Sequence, residues 1–555
     1  MVISRVDFGT SRGPTRGAGR CIVQPLMTRH PYRSSPQALA TACALATALG
    51  ALTAALATEP VAAGAPAIAW FSGDVDAAFV QARAEHKPLF LYWGATWCPP
   101  CNQVKATLFK RLDFIERSGQ FVPVYLDGDQ PSAQKLADRF RVRGYPTMIL
   151  FSPDGAEITR LPGEIDPQQY LQALSLGLGT GRSARATLRA ALGPNAGSLP
   201  GQDWTLLASY SWDTDEGQLV AADRVSGTLL ALAKACPVRF QSSSDRLALR
   251  AIVSAAASRA SVNLDRARAL AHVQAVLQDP ARARALFDLL VQWAPEIAGA
   301  LTDPGSPGRQ DLIDRWDTRL AAFALDTSLS TADRLDALSS RVALRKLLDA
   351  NVPLPPALVE SIRSAASLAD RDTTDRFERQ AVISSAGQAL SAAGLDSESD
   401  ALLMRELNRS AAPYYFMLEL AVNARKRGDS SGALDWYEKA YAGAQGPATR
   451  LQWGTRYAVA LVELAPSQDT RLERAVAQVI DQLEPVPETF YGRNRSVLER
   501  LGAALGTWNS AHQHDASIKS ALARLDALCQ KLPEGAPERA TCSNLLRPPA
   551  PAPSS

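Results

Sequence analysis

The sequence predicts two architectures in one chain. An α/β domain with a mixed central sheet and helices on both faces spans about residues 67–178, and a large all-α region of irregular helical hairpins follows over 203–546. Three observations carry this reading. Up to residue 178, short apolar and aromatic runs alternate with helical patterns in the order βαβα, then ββα. Beyond Asp203, strand signals vanish and apolar residues recur at helical spacing. Between the two, 179–202 is rich in glycine, with Gly193-Pro-Asn-Ala-Gly197, and reads as a linker with a short helix at Ala184–Leu192.

In order, Ala67–Phe71 leads to Asp74 and a helix over Val75–Glu85, with Ala78, Phe79 and Ala82 on one face. Leu89–Trp93 is an apolar first strand, and a helix containing Cys98 and Cys101 runs on to about Glu116. Phe121–Leu126 is a second strand, Asp127-Gly-Asp129 a turn, and Ser132–Phe140 a short helix. Thr147–Phe151 and Ala156–Leu161 are strands joined by the hairpin turn Ser152-Pro-Asp-Gly155, and a helix over Asp166–Leu176 closes the domain.

In the helical region, Leu286, Leu289, Leu290 and Trp293 fall at i, i+3, i+4, i+7. Gly394 and Gly428 lie 34 residues apart, each between two apolar helical stretches, and Ala433–Ala440 resembles the second helix of a tetratricopeptide repeat. Tyr414, Tyr415, Phe416, Trp436, Tyr437 and Trp453 read as core rather than as a ligand groove, although a concave surface for a protein partner is an alternative. Cys529 and Cys542 flank a turn and are positioned to bridge, worth about 3 kcal/mol. Cys236 reads as buried and inert.

Composition narrows the function classes. With 46% hydrophobic and 21% charged residues and a net charge of +3 over 555 residues, there is no argument for nucleic acid or a membrane surface. Five histidines are too few for a multi-histidine metal centre, so no metal is expected. Residues 1–26 lack any apolar period and read as a start-site artefact ahead of Met27. Residues 27–57 follow the plan of a signal peptide: Arg29, His30 and Arg33, then an uncharged Ala/Leu/Thr run, then Ala55-Leu-Ala57. The expected location is therefore periplasmic or secreted, with an uncleaved anchor as the alternative. The tail, 547–555, is Pro-rich and reads as disordered.

The chemistry lies in Trp97-Cys-Pro-Pro-Cys101, at a strand-to-helix turn, and in Gly144-Tyr-Pro-Thr147 before a strand hairpin. Two cysteines three apart also serve zinc sites, but no second pair stands at zinc-site spacing. Together the two motifs, their separation and the element order resemble the thioredoxin superfamily. The lead-in to the first strand and the hairpin resemble its exported branch, including the C-terminal domain of membrane thiol–disulfide interchange reductases. The resemblance covers about a fifth of the chain and implies a thioredoxin fold.

Cys98, at the helix start, faces unpaired N–H groups and the positive end of the dipole, which lower a thiol's pKa. The resemblance makes Cys98 the exposed nucleophile and Cys101 the buried resolving thiol, with Trp97 shielding the pair. It makes Pro146 a cis-proline holding the Tyr145 backbone for strand addition by substrate, with Tyr145 and Thr147 as substrate contacts. Pro99 and Pro100 supply no N–H, so the thiolate is expected to be weakly stabilised and the couple to lean toward a reductant. Tyr92 and Tyr125 occupy the positions of the family's buried acid and its lysine partner, which leaves the proton acceptor for Cys101 unassigned. Glu85 and Asp127 are candidates by proximity in sequence.

The implied activity is thiol–disulfide exchange on exported proteins, probing disulfides with the Cys98–Cys101 pair and needing no other cofactor. The implied partners are protein thiols and disulfides, with a membrane thiol–disulfide electron donor to restore the dithiol. An oxidase or isomerase is the alternative within that chemistry. A helical binding scaffold with a thioredoxin-like docking module is the alternative from another class.

Overall fold

A computed structural model describes residues 67–162, 167–257, 264–351 and 353–547. The expected start-site and signal segments (1–57) and the tail beyond 547 lie outside the described residues. Among the described residues, no helix is long and apolar enough to cross a membrane.

Four strands form the sheet: β1 Leu89–Gly94, β2 Val122–Asp127, β3 Thr147–Phe151 and β4 Glu157–Pro162. Their order is β2-β1-β3-β4, with β1 parallel to β2 and antiparallel to β3, and β3 antiparallel to β4. β1 is therefore central and covered on both faces, which is why it reads as an unbroken apolar run. Its alternate residues feed two cores. Leu89, Leu91 and Trp93 meet Val75, Ala78, Phe79 and Ala82 of α1 (Val75–Glu85), and Ala137 of α4 (Pro131–Arg139). Phe90 and Tyr92 meet Val104 of α2 (Pro99–Thr107), Phe114 of α3 (Leu112–Ser118), and Tyr170 and Leu174 of α5 (Pro167–Gly179).

The cysteine-bearing helix is not continuous to Glu116; it breaks between Thr107 and Leu112 into α2 and α3. Phe109 and Phe114 both reach the same core, with ring centroids 5.1 Å apart. Five positions at about 100° per residue would turn one of them well away from the other on a single helix, and the break restores their alignment.

The segment expected as a linker is also folded. Ala184–Ala191 is helical, and Leu188, Ala196 and Leu199 are buried in one core with Trp204 and Leu247. Apolar residues between the glycines anchor it as part of the helical region rather than as a free tether.

From Gly201 onward the described elements are α- and 3-10 helices, gathered around successive apolar cores. Gly394 and Gly428 hold equivalent turns at φ 79° and 78°, a conformation that favours glycine. They connect Arg376–Ala392 to Asp396–Glu406 and Pro413–Lys426 to Ser430–Gly443, so the 34-residue spacing marks consecutive helical hairpins. Cys529 and Cys542 are disulfide-bonded near the C-terminal end.

The described residues form one compact unit. Arg160 of β4, fully buried, is one of its ties. Its guanidinium donates to Phe140 O (2.7 Å), Arg141 O (3.1 Å) and Thr214 O (3.0 Å), and to both oxygens of Glu157 (3.2 Å each). Removing such a buried donor strands an acid and three carbonyls. Arg160→Met should therefore destabilise the protein by about 3–5 kcal/mol, read as a lower midpoint in urea unfolding.

Candidate active site

β1 delivers the chain to the loop Ala95–Trp97, and α2 starts at Pro99. Cys98 is the residue before the helix, with φ −76° and ψ 113°, and Cys101 lies in the first turn. The two are joined in a disulfide with Cα atoms 5.2 Å apart. Pro99 and Pro100 take the first two helical positions, where their fixed φ suits the turn. They also remove two N–H groups, so the backbone donor to Cys98 Sγ is the Cys101 N–H, at 3.2 Å. Asn102, itself buried, donates from its side chain to Thr96 O at 2.8 Å and pins the loop that carries Trp97.

The second motif opens β3, where Thr147 pairs with Trp93 at the end of β1 that leads into this turn. The Tyr145–Pro146 peptide bond is cis. Thr147 Oγ1 donates to Gly144 O at 2.8 Å, and the Tyr145 hydroxyl donates to Gly128 O at 3.2 Å. A side chain at Gly128 would start 2.2 Å from the Tyr145 ring, so glycine is required for that seat.

Tyr92 and Tyr125 are register partners on β1 and β2, and their rings stack at 5.4 Å with Trp70 and Phe109 beside them. An aromatic cluster thus occupies this side of the sheet, and burial drives the Tyr92 phenol well above its usual pKa. Glu85 lies at the surface, 3.1 Å from Lys87, and is no buried acceptor. Asp127 closes β2, and its field reaches Lys105, one turn beyond Cys101 on α2.

The expected exposure of Cys98 does not hold. Trp97, Cys98 and Cys101 are 4%, 2% and 0% exposed, because the helical region covers them. Trp97 stacks on Tyr415 (centroids 6.2 Å) and meets Trp453 edge-on (5.0 Å), while the Arg493 guanidinium lies 5.3 Å from the ring centroids of both Trp97 and Tyr145. Pro146 and Thr147 are buried and Tyr145 half-buried beneath the same cover. Polar contacts fix its position. Gln103 Nε2 donates to Ser330 Oγ and Asp333 Oδ1, both at 3.0 Å. Gln134 Oε1 accepts the Arg493 and Asn494 N–H groups at 3.1 and 3.3 Å. Asp129 Oδ1 accepts the Thr449 N–H at 2.8 Å and the Thr449 hydroxyl.

Sequence reasoning therefore located the cysteines and the Tyr145–Thr147 motif but missed Tyr415, Thr449, Trp453 and Arg493. Tyr415 and Trp453 are buried, as read from sequence, yet the ring against them belongs to the redox loop. The density of aromatic residues at 414–453 was the available signal. Cys236 is buried and unbonded, with burial pushing its thiol to about 11.

Comparison with known proteins agrees with this geometry. Residues 75–177 match the model of a thioredoxin-like domain. A thioredoxin of Mycolicibacterium smegmatis is 35% identical over 89 residues, which is 16% of this chain and 77% of that protein. The thiol:disulfide interchange protein DsbD of Pseudomonas fluorescens is 30% identical over 103 residues, 18% of each chain. A DsbD of Yersinia pestis is 31% identical over 99 residues, 17% of each. The matched part thus spans under a fifth of the DsbD relatives' length.

Asp129 makes the covering contact sensitive to pH. Burial raises its carboxyl to about 6 against the opposing hydrogen bonds from Thr449. The folded protein then holds a proton between about pH 4 and 6 that the unfolded chain releases, so this contribution to stability is lost as pH rises through about 6. Asp129→Asn keeps an acceptor for Thr449 without the charge. It should be more stable than wild type at pH 7, by at most about 3 kcal/mol, with the difference vanishing below about pH 4 in urea unfolding.

Proposed function

The chain belongs to the thioredoxin family through residues 75–177, and from that premise we propose that it is a protein-disulfide oxidoreductase of an exported compartment, working as a reductant. The observation that carries the reading is the Cys98–Cys101 disulfide at the start of α2, just beyond the strand whose Trp93 pairs with Thr147 of the Tyr145-Pro146-Thr147 motif. The fold, this pair and the relatives named DsbD and thioredoxin together support thiol–disulfide exchange as the chemistry.

In the reductive direction, the Cys98 thiolate attacks one sulfur of a substrate disulfide and expels the other as a thiolate. The Cys101 thiolate then attacks Cys98 Sγ and releases the second substrate thiolate. The Cys98–Cys101 bond forms, the substrate gains two electrons, and the two thiol protons of the enzyme end on the substrate sulfurs. In this reading Asp127 receives the Cys101 proton on the way; its field acts on Lys105, one turn further along α2. A membrane thiol–disulfide donor restores the dithiol in this reading. Trp97, Tyr145, Pro146 and Thr147 form the substrate surface. A single backbone donor on Cys98 Sγ supports the reductant direction, because little stabilises the thiolate relative to the disulfide. A protein substrate reaches Cys98 only after Trp97 leaves Tyr415 and Trp453.

That cover also favours a second reading, in which the helical region is a binding scaffold and the sheet domain its docking module. Reduction of insulin by dithiothreitol separates the two. The proposed enzyme accelerates it, Cys98→Ser and Cys101→Ser abolish the acceleration, and Cys101→Ala accumulates mixed disulfides at Cys98. Equal behaviour of wild type and the double serine variant favours the scaffold. A potential near −120 mV, typical of strong oxidants, excludes the reductant direction.

A further inference from the structure

The helical region meets the sheet domain at the residues assigned to substrate and at the elements that carry them. On the loop before Cys98, Trp97 packs on Tyr415 and Trp453. On α2, just beyond Cys101, Gln103 donates to Ser330 and Asp333. Before β3, the Arg493 guanidinium lies over the Tyr145 ring, and Arg143 Nη1 donates to Ser496 Oγ at 3.2 Å. After β2, Asp129 accepts twice from Thr449, and on α4 Gln134 accepts the N–H groups of Arg493 and Asn494. The partners belong to four helices: Thr331–Leu348 with its cap Ser330, Pro413–Lys426, Pro447–Leu464 and Gly492–Trp508. The cover is thus a built surface, and it leaves Cys98 2% exposed.

Two edges of this seam differ. Along β4 and α5 the regions are tied through the buried arginines 160 and 246. Arg160 donates to Thr214 O and its own carbonyl accepts the Ser211 N–H at 2.8 Å, while Arg246 donates to Gln169 Oε1 at 2.6 Å. At the redox face the crossing contacts are rings, hydrogen bonds and the exposed ion pairs Lys110–Asp375 (3.1 Å) and Lys135–Glu488 (3.3 Å). Exposed pairs of that kind contribute little. Five apolar cores, moreover, each lie wholly on one side of the seam. Those around Trp93 and Tyr92 draw on residues 68–178, and those around Trp204, Trp316 and Ile383 on residues 184–436. Parting at the redox face leaves all five intact, and polar interfaces within one chain permit relative motion.

We propose that the helical region is an autoinhibitory cap: tied along β4 and α5, it closes over Trp97 and Tyr145 and keeps the redox pair latent until it lifts. The proposal rests on the oxidoreductase reading for what Cys98 does once uncovered, and it adds the control of that site. Only molecules with the cap lifted present Cys98 to a protein, so their fraction scales the observed rate. No covalent bond changes in the lifting itself. The cap holds the same residues that a substrate must contact, and substrate and cap therefore compete for one surface.

Alkylation of Cys98 tests it. The full chain carrying Cys101→Ala is treated with iodoacetamide across a pH series, and modification of Cys98 itself is read by peptide mass spectrometry. The folded protein should react at least about 100-fold more slowly than the same chain in urea. Thr449→Val removes the hydroxyl donor to Asp129, and Tyr415→Leu removes the ring stacked on Trp97. Each should speed the folded reaction about 10-fold, in the plateau of the pH–rate profile and with its midpoint unmoved. Val276→Ala, in the core built from residues 249–348, should lower the urea midpoint and leave the rate near that of the parent. With Cys101 restored, insulin reduction should rise in parallel with alkylation. A folded rate within about threefold of the urea rate overturns the cap, as do Thr449→Val and Tyr415→Leu reacting no faster than Val276→Ala. A moved midpoint at an unchanged plateau also overturns it, because the variants then act on the acidity of the thiol. If alkylation follows the cap and no variant reduces insulin, the cap stands and the oxidoreductase reading fails.

Discussion

The seat of Trp97 is the contact on which the rest of this structure depends. Its indole lies between the sheet domain and the helical region, against Tyr415 and Trp453, and the next residue in the chain is Cys98. Aromatic pairs of this kind contribute about 0.5–1.5 kcal/mol each beyond their buried area. Because Asn102 ties the loop to α2 through Thr96, the ring cannot leave its seat without disturbing the turn that holds the sulfurs. Burial of Cys98 and the seat of Trp97 are therefore tied to one contact. A partner that competes for Trp97 exposes Cys98, and a partner that leaves Trp97 in place does not.

The polar contacts around that seat set its orientation more than its strength. Gln134 shows how. Its amide nitrogen donates to Gly128 O and to the Tyr145 hydroxyl, while its oxygen accepts two backbone N–H groups at the start of Gly492–Trp508. A single fully buried side chain thus fixes the β2 turn, the Tyr145 ring and the helix that carries Arg493. Such a buried network is satisfied in only one arrangement, and an alternative docking angle would strand several donors and acceptors together.

What could be read from the sequence follows the range of the interactions. The turn that holds Cys98 and Cys101 depends on residues within one helical turn, and the strands on alternation along short segments, so both were legible. The break in the cysteine-bearing helix was not, because neither glycine nor proline marks it. It arises from the need of Phe109 and Phe114 to share one core. The folding of 184–199 was obscured by glycines at its ends, although Leu188 and Leu199 are buried. The cover over the redox pair was the least legible feature. Its contacts link residue 97 to residues 415, 453 and 493, a separation over which single-sequence patterns carry no pairing information. Tyr92 and Tyr125 stand between these cases: their departure from the family pattern was visible, and the structure shows its content as a stacked aromatic pair.

The same cover modifies the reactivity inferred from the proline pair. Pro99 and Pro100 leave Cys98 with one backbone donor, which by itself describes a weakly activated thiol. The helical region brings the Arg493 guanidinium over the rings of Trp97, the residue before Cys98, and of Tyr145. The cover therefore buries Cys98 and brings to its loop a positive charge that the local sequence lacks. Burial of the sulfur and the charge beside its loop are thus set by the same helices. The charge nearest the loop therefore stands on the cover and not between the cysteines, where Pro99 and Pro100 supply none.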